Sequence, residues 1–408
     1  MKRKENTFLI LSGKNNPMIP RRKVPVRSND VIEWIKTLYV QAEDDVTRFE
    51  HAFRNYLGCK FALTTASGRD ALELALNAMD VRPEHEVIIP AYTLGELLPL
   101  INATVVPVDI EKETFNMDIK LIERKITPRT KVILATHLLG APCDIVNICQ
   151  IAQKHGIWVI EDCAHALGAS VSGQKVGTFG HAAIFSLEVN KAISTYGGGI
   201  LVTNDNMIAA SVSNAISGRR RINSPALRKA LFTWLEEMVI RSPLYAPLAK
   251  ILFSEKMSKK FERFYRGAHH QVRTDKVAYS HYQARMGLKK LKDLDKRNER
   301  LNNRWHQLAK RLSQHLLPQN RHRMGHPAFY NFVCLYDKDI SAFRRKVSHL
   351  GLDVGIGSEI MDDCARLLGA TDCPVAASVY NRALLLPLYE DMTERDFDRL
   401  LSILAKAL

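Results

Sequence analysis

Apolar and polar positions alternate along this chain in two rhythms. Short apolar runs recur at 61–65, 87–89, 105–108, 131–135, 157–160 and 182–185, and again at Ile200-Leu201-Val202-Thr203. Runs of that length, bounded by polar residues, read as strands buried on both faces of a parallel sheet. Helical spacing fills the intervals. Val46, Phe49, Phe53 and Leu57 fall on one helical stripe, which Gly58 stops. Leu72, Leu74, Ala75, Leu76 and Met79 give a buried face to a helix starting near Ser67. Segments 97–102, 118–125 and 144–155 separate the later runs. Regular alternation of this kind predicts an α/β fold with a mainly parallel sheet.

The two ends read differently. Residues 1–25 are basic and carry Pro17 and Pro20, which predicts an ill-ordered start and an extended arm. Ser28-Asn29-Asp30 reads as a helix N-cap. Toward the C terminus, Leu288, Leu291, Leu294, Leu301 and Leu308 lie on one stripe of a long helix starting near Asp275. It would bridge to a smaller α+β domain with strands at 328–335 and 383–386, closed by helix 393–407. The expected organisation is an arm over 1–25, a large domain over 26–222, an insertion over 223–272, and bridging helix plus small domain over 273–408.

Composition narrows the class. A chain of 408 residues can hold two domains and a substantial core. No apolar stretch reaches about 18 residues, so no membrane-spanning helix is expected. The apolar start of the chain is too short for a signal-peptide core of about 7–15 residues. The 7 cysteines are scattered without a C-x-x-C pair, which suits reduced thiols and a cytoplasmic setting. The 14 histidines lack ligand spacing, so no metal is expected. The net charge of +15 suits polyanions, anionic membrane surfaces or phosphorylated small molecules, and does not choose among them.

Chemistry concentrates in residues 157–199. The run Ile157-Trp158-Val159-Ile160 ends in Glu161-Asp162, two carboxylates at a strand's carboxyl end. In open α/β sheets ligands bind there. Ser186, Lys191 and Gly197-Gly198-Gly199 follow. A lysine that forms a Schiff base needs a carbonyl partner, which pyridoxal phosphate supplies along with an electron sink. A carboxylate keeps its pyridine nitrogen protonated. Asp162 and Lys191 are candidates for those two roles, about one strand–crossover–strand unit apart. For either alone, the ordinary reading of a solvated strand-end Asp or a surface Lys is favoured, and the joint arrangement shifts that balance. Ser67 reads either as a plain N-cap or as a phosphate ligand at a helix N-terminus. Asp109, after strand 105–108, reads as a solvated turn residue.

These motifs together resemble the DegT/DnrJ/EryC1/StrS sugar aminotransferases, pyridoxal-phosphate enzymes of fold type I. The resemblance rests on EDCAHALGA at 161–169, on Gly177-Thr178-Phe179-Gly180 and on Phe185-Ser186 with Lys191. It extends to 61–72, 87–93, His137-Leu138-Leu139-Gly140 and the ending from Cys373 to Glu394. It implies an α/β fold with a mainly parallel, seven-stranded-type sheet and a smaller C-terminal α+β domain. It implies that Lys191 binds pyridoxal 5′-phosphate, that Asp162 partners the ring nitrogen, and that Ser186, Ser67 and Gly68 hold the phosphate. His165 matches a position that contacts the ring, with a structural histidine as the alternative. Arg69 stands where the family has Thr, and Leu94 where it has a stacking aromatic; Tyr92 would take that place only with the turn re-aimed, so which of Leu94 and Tyr92 faces the ring stays open. His181 replaces a common Asp. An Asn that the neighbouring subunit gives to the phosphate aligns near Lys276.

The resemblance also implies a homodimer, an amino donor such as L-glutamate, and a keto-sugar acceptor, nucleotide-linked, in polysaccharide or secondary-metabolite synthesis. No nucleic acid is expected. A dehydratase of the same family would carry histidine at the Lys191 position, and a non-catalytic scaffold would not need Asp162, Ser186 and Lys191. The likeness breaks at about 221–273. There Leu227, Leu231, Trp234, Leu235 and Met238 share one helical face, Ser242-Pro243 breaks the helix, and Leu244, Leu248, Ile251 and Leu252 repeat the pattern. Positions 219–276 hold 14 Lys/Arg against 5 Asp/Glu. Two readings stand open. The stripes pack on the protein itself or across the dimer, or they lie on an anionic membrane as interfacial helices. The second makes a lipid-linked or membrane-delivered acceptor attractive, with the protein on the inner face of the membrane.

Overall fold

A computed structural model describes residues 18–24, 30, 33, 36, 44–252, 277–312 and 315–408. The apolar runs form a seven-stranded sheet of β1 (Phe61–Thr65), β2 (Glu86–Pro90), β4 (Thr104–Val108), β5 (Thr130–Thr136), β6 (Trp158–Asp162), β9 (Ala182–Ser186) and β10 (Gly199–Thr203). Their order is β1-β10-β9-β6-β5-β2-β4. β4, β2, β5, β6 and β9 pair in parallel, while β10 runs antiparallel to both β9 and β1. The mainly parallel sheet expected from the alternation is present, with one reversed strand. Three short strands complete this half: β3 (Tyr92–Thr93) and the hairpin of β7 (Ser170–Val171) with β8 (Gln174–Lys175).

Helices α1 (Asp45–Leu57), α2 (Gly68–Ala78), α3 (Ile119–Lys125), α4 (Ile145–His155) and α5 (Asn206–Ile216) cover the sheet. On α1, Val46, Phe49, Phe53 and Leu57 are all buried, as the stripe requires. Each such side chain stabilises the fold by roughly 1.5–3 kcal/mol. Gly58 ends the helix at φ +79°, the left-handed region that glycine enters without strain.

The segment expected as an insertion forms α6 (Ser224–Arg241) and α7 (Tyr245–Leu252). The expected single bridging helix is two: α8 (His281–Leu291) and α9 (Leu294–Arg311). A capping box between Ser280 and Gln283 starts α8, and the chain leaves helical geometry at Asp293. The leucine stripe survives the break, because Leu291, Leu294, Leu301 and Leu308 are all buried. The small domain has a four-stranded antiparallel sheet of β11 (Leu316–Pro318), β12 (Phe332–Tyr336), β15 (Ala383–Leu386) and β13 (Gly355–Ile356). Helices α10 (Ile340–His349), α11 (Pro374–Arg382) and α12 (Glu394–Ala407) accompany it. β14 (Asp362–Asp363) pairs with β3 and ties the small domain to the large one.

Asp109 departs from its expected role. It is 5% exposed, and its carboxylate accepts the N–H groups of Val375 at 3.0 Å and Ala376 at 2.8 Å. It therefore caps α11 from the large domain, satisfying amides the helix start leaves open. The predicted arm and N-cap fall mostly outside the described residues, as do Lys276 and the later part of the insertion. Of the arm, Ile19 forms a parallel bridge with Leu352 of the small domain.

Candidate active site

Parallel strands aim their carboxyl ends the same way, so β5, β6 and β9 finish together. Asp162 lies opposite Thr136 of β5 and Ile184 of β9. Above these ends is a cavity of about 760 Å³, lined by Ser67, Gly68, Arg69, Asp162, His165, Ser186 and Lys191. Seven of the eight candidate residues from the sequence thus face one space.

Asp162 is 7% exposed, and its Oδ1 accepts the Ala164 N–H at 3.0 Å. Burial pushes its carboxyl up, against the pull of that N–H and of the Lys191 and His137 charges. A buried acid this poorly partnered fits a cationic nitrogen arriving from the cavity.

Lys191 sits on the loop joining β9 to β10. Leu187 closes this loop: its N–H donates to Gly198 O at 3.0 Å, and its carbonyl accepts Thr195 N–H at 3.0 Å. Lys191 Nζ lies 3.4 Å from Tyr330 Oη and 4.8 Å above that ring's centroid. Asn190 Nδ2 also donates to Tyr330 Oη, at 3.0 Å.

The start of α2 makes the third wall. Ser67 caps the helix, its Oγ accepting the Asp70 N–H at 3.0 Å. A Cβ on Gly68 would come within 3.1 Å of Ser186 Cβ, and one on Gly199 within 2.4 Å of the Ser67 carbonyl carbon. Glycine at both places lets the helix N-terminus settle against β9 and β10. The result is a hydroxyl-lined cradle at a positive dipole end, a phosphate-type site.

His165 stacks on Tyr330 with centroids 3.9 Å apart and an interplanar angle of 19°. Its buried Nδ1 has no hydrogen-bond partner among the described residues. Burial, then the Lys191 charge, pushes its pKa well below the ordinary histidine value. Tyr92 stands apart from the other candidates. It is fully buried among Ala91, Phe115, Leu138 and Met361, and Thr93 and Leu94 line the cavity in its place. The alternation of side chains along β3 turns Tyr92 to the core. Arg69 ion-pairs with Glu96 at 2.8 Å.

Beneath the site, His137 Nε2 lies 3.0 Å from Glu161 Oε2, and His137 Nδ1 accepts the Cys143 N–H at 3.1 Å. Glu161 also accepts the N–H groups of Gly177, Phe179 and Gly180. His137, Glu161 and Cys163 offer ligand atoms within 4.8 Å of one another. The His137 and Glu161 atoms are engaged in hydrogen bonds that brace the end of β6. His181, the substitution noted in the motif, accepts the Val159 N–H through Nδ1 at 3.0 Å and packs edge-on to Trp158.

Sequence reasoning misses part of the wall. Tyr330 comes from the small domain, and Arg21, Arg22, Lys23 and Val24 come from the arm. The basic run after Pro20 is the only signal for the latter. The insertion also lines the cavity, through Glu236, Val239, Ile240, Tyr245 and Leu248. Lys229 of α6 pairs with Glu188 at 2.6 Å, on the Lys191 loop. Tyr245 Oη donates to Asp353 at 2.8 Å, and Arg241 pairs with Asp391, both in the small domain. Glu237 accepts the Val24 N–H at 2.7 Å.

A sequence model of the DegT/DnrJ/EryC1/StrS aminotransferase family matches residues 26–405. GDP-perosamine synthase of Caulobacter vibrioides is 41% identical over 186 residues, 45% of this chain and 50% of that protein. The chain spans about half the length of the curated relatives it matches at such identity. Over nearly full length, the spore coat polysaccharide biosynthesis protein SpsC of Bacillus subtilis is 28% identical, covering 98% of this chain and 96% of that protein. Among solved structures, the putative sugar aminotransferase Spr1654 of Streptococcus pneumoniae in its PMP form superposes with a TM-score of 0.73 at 19% identity. The match covers 96% of this chain and 100% of that one, a likeness of fold.

Proposed function

Because the chain belongs to the DegT/DnrJ/EryC1/StrS aminotransferase family, we propose that it is a pyridoxal 5′-phosphate-dependent transaminase that passes an amino group from an amino acid to a keto sugar. The observation that carries this reading is the convergence of Lys191, Asp162, Ser186 and the start of α2 on one cavity. L-Glutamate is the donor we expect, and a nucleotide-linked keto sugar is the acceptor class that the named relatives suggest, GDP-perosamine synthase among them.

The residues fit the cofactor. Pyridoxal 5′-phosphate, when bound, supplies a carbonyl and an electron sink. Lys191 would hold it covalently through Nζ. Ser67, Gly68 and Ser186 would bind its phosphate, and Asp162 would keep a proton on its ring nitrogen. His165, stacked on Tyr330, would face the ring. Displaced by the donor amine, Lys191 Nζ would move the proton from the donor's Cα to the cofactor's C4′ carbon, and in the second half of the cycle from C4′ to the acceptor carbon. Positioned proton transfer of this kind is worth roughly 10²–10⁴-fold. Tyr330 Oη, within reach of Lys191 Nζ, would orient it. The test is purified protein given glutamate alone: the yellow colour should fade, with one 2-oxoglutarate released per site. A colourless protein that cannot be reconstituted, or no oxoacid, overturns the reading.

We read the working unit as a homodimer, on the strength of the family resemblance. Sedimentation at micromolar concentration should give twice the chain mass, and a monomer alone would reject this.

We also read α6 as a docking surface for an anionic membrane, which places the protein on the inner face of a bilayer. The helix is apolar side out. Ala226, Thr233 and Glu237 are buried, whereas Leu231, Phe232, Trp234, Leu235 and Met238 are 38–62% exposed. A helix packed for a water-soluble surface has the opposite arrangement, and Trp with Lys/Arg around an apolar face suits a membrane interface. Liposome binding should rise with anionic lipid and fall with salt. Changing Leu231, Trp234 and Leu235 together to Glu should weaken it at least about tenfold. Unchanged partitioning of that variant ends the idea.

A further inference from the structure

The apolar outer face of α6 does not stop at the surface. Val239 and Leu248 line the cavity, yet they are 41% and 40% exposed, so they stand at its mouth. Met238, Leu235, Trp234 and Leu231 of the same helix are exposed as well, as is Leu244 at 69% just before α7. Inside Val239 and Leu248 the wall continues through Ile240 to Leu388 and Tyr389 of the small domain. An apolar track therefore runs from solvent into the space above Lys191. Three cationic side chains of the arm, Arg21, Arg22 and Lys23, line the same cavity, and Arg21 is ion-paired with Asp353 and Glu359. The arm passes under α6, held by the Val24 N–H to Glu237. Lys23 Nζ sits 5.3 Å over the Tyr389 ring, and no carboxylate pairs with it among the described residues.

A free nucleotide sugar has no use for such a track. Its base and ribose are polar, and Val239 and Leu248 offer them no hydrogen-bond partner. An apolar chain gains there instead. We propose that the acceptor is an amphiphile: a keto sugar joined through phosphate to a long apolar chain. The phosphate meets Arg22 and Lys23, and the chain leaves past Val239 and Leu248 onto the outer face of α6. This rests on the transaminase reading and departs from the nucleotide-linked acceptor that the relatives suggest for the same cavity. The net positive sequence at 219–276 and the exposed face of α6 then serve one purpose, to hold the cavity mouth where lipids are.

The test uses holoenzyme and simple probes: inorganic phosphate, butyl phosphate and dodecyl phosphate below its micelle concentration, with uridine diphosphate as the nucleotide arm. Binding is read by calorimetry. Each buried methylene is worth about fourfold in affinity. Dodecyl phosphate should therefore bind at least about tenfold more tightly than butyl phosphate, and more tightly than uridine diphosphate. Val239→Asp with Leu248→Asp should erase the chain-length gain while leaving butyl phosphate binding within about threefold. Affinity independent of chain length, or uridine diphosphate binding the tightest, overturns the proposal. So does a Leu231→Glu, Trp234→Glu variant that sediments as a monomer where the parent is a dimer, since that face would then be a subunit contact. The glutamate half-reaction of the same preparation reports separately on the transaminase premise. If it proceeds and the chain-length gain is absent, only the acceptor class is wrong.

Discussion

Lys191→Ala should lose covalent cofactor retention and all measurable turnover. Two lysines line the cavity among the described residues, Lys191 and Lys23. Only Lys191 sits on the loop between β9 and β10, beside the strand ends that carry Asp162 and Ser186. That loop is closed by main-chain hydrogen bonds of Leu187 with Thr195, Gly197 and Gly198. Removing the Lys191 side chain leaves those bonds in place, so the variant should fold with the melting temperature of the cofactor-free parent. What goes is the amine proposed to anchor the cofactor and carry the proton. Proton transfer alone accounts for roughly 10²–10⁴-fold, and loss of the covalent link adds to it. Borohydride reduction of the parent followed by peptide mapping should put the label on Lys191. Label on Lys23, or turnover surviving in the variant, would reject the assignment.

Much of this site is legible in the amino-acid order because it hangs on strand ends. A buried apolar run fixes where a strand stops, and in a parallel sheet the stop positions its last residues. Asp162 after 157–160 and Ser186 after 182–185 follow directly. The α2 start is legible for a similar reason, since Ser67-Gly68 precedes a strong helical stripe. Tyr92 shows the limit: one residue along a strand reverses the side chain's direction, and the motif alone does not say which residue faces in. Asp109 shows another. Its carboxylate caps a helix start at Val375 and Ala376, and no local pattern announces so distant a partner. Tyr330 is invisible for the same cause, because docking of the small domain brings it to Lys191. The insertion stripe is plain as a pattern. Burial of Thr233 and Glu237 beneath it, with the leucines outward, depends on the arm and on Val24.

Asp162→Asn should separate two effects that act in opposite directions. In the cofactor-free protein, burial raises the Asp162 carboxyl above its ordinary value of 3.8. The folded protein then holds that proton more tightly than the unfolded chain does. Stability from this group is present at low pH and is lost as pH rises from the unfolded value through the raised folded one. At neutral pH the ionised carboxylate is a burden that asparagine does not carry. Cofactor-free Asp162→Asn should therefore melt no lower than the cofactor-free parent at pH 7.5, and its advantage should vanish at pH 4. A protonated ring nitrogen beside Asp162 reverses the balance by giving the buried charge a partner. Removing one partner of a buried pair costs about 3–5 kcal/mol, which is on the order of 10²–10⁴-fold. The variant should lose that much across cofactor affinity and glutamate turnover combined, while its Lys191 still takes the borohydride label. Equal activity in parent and variant would show that Asp162 does not hold the ring proton. A cofactor-free variant that melts well below the parent at pH 7.5 would show instead that the carboxylate braces the end of β6.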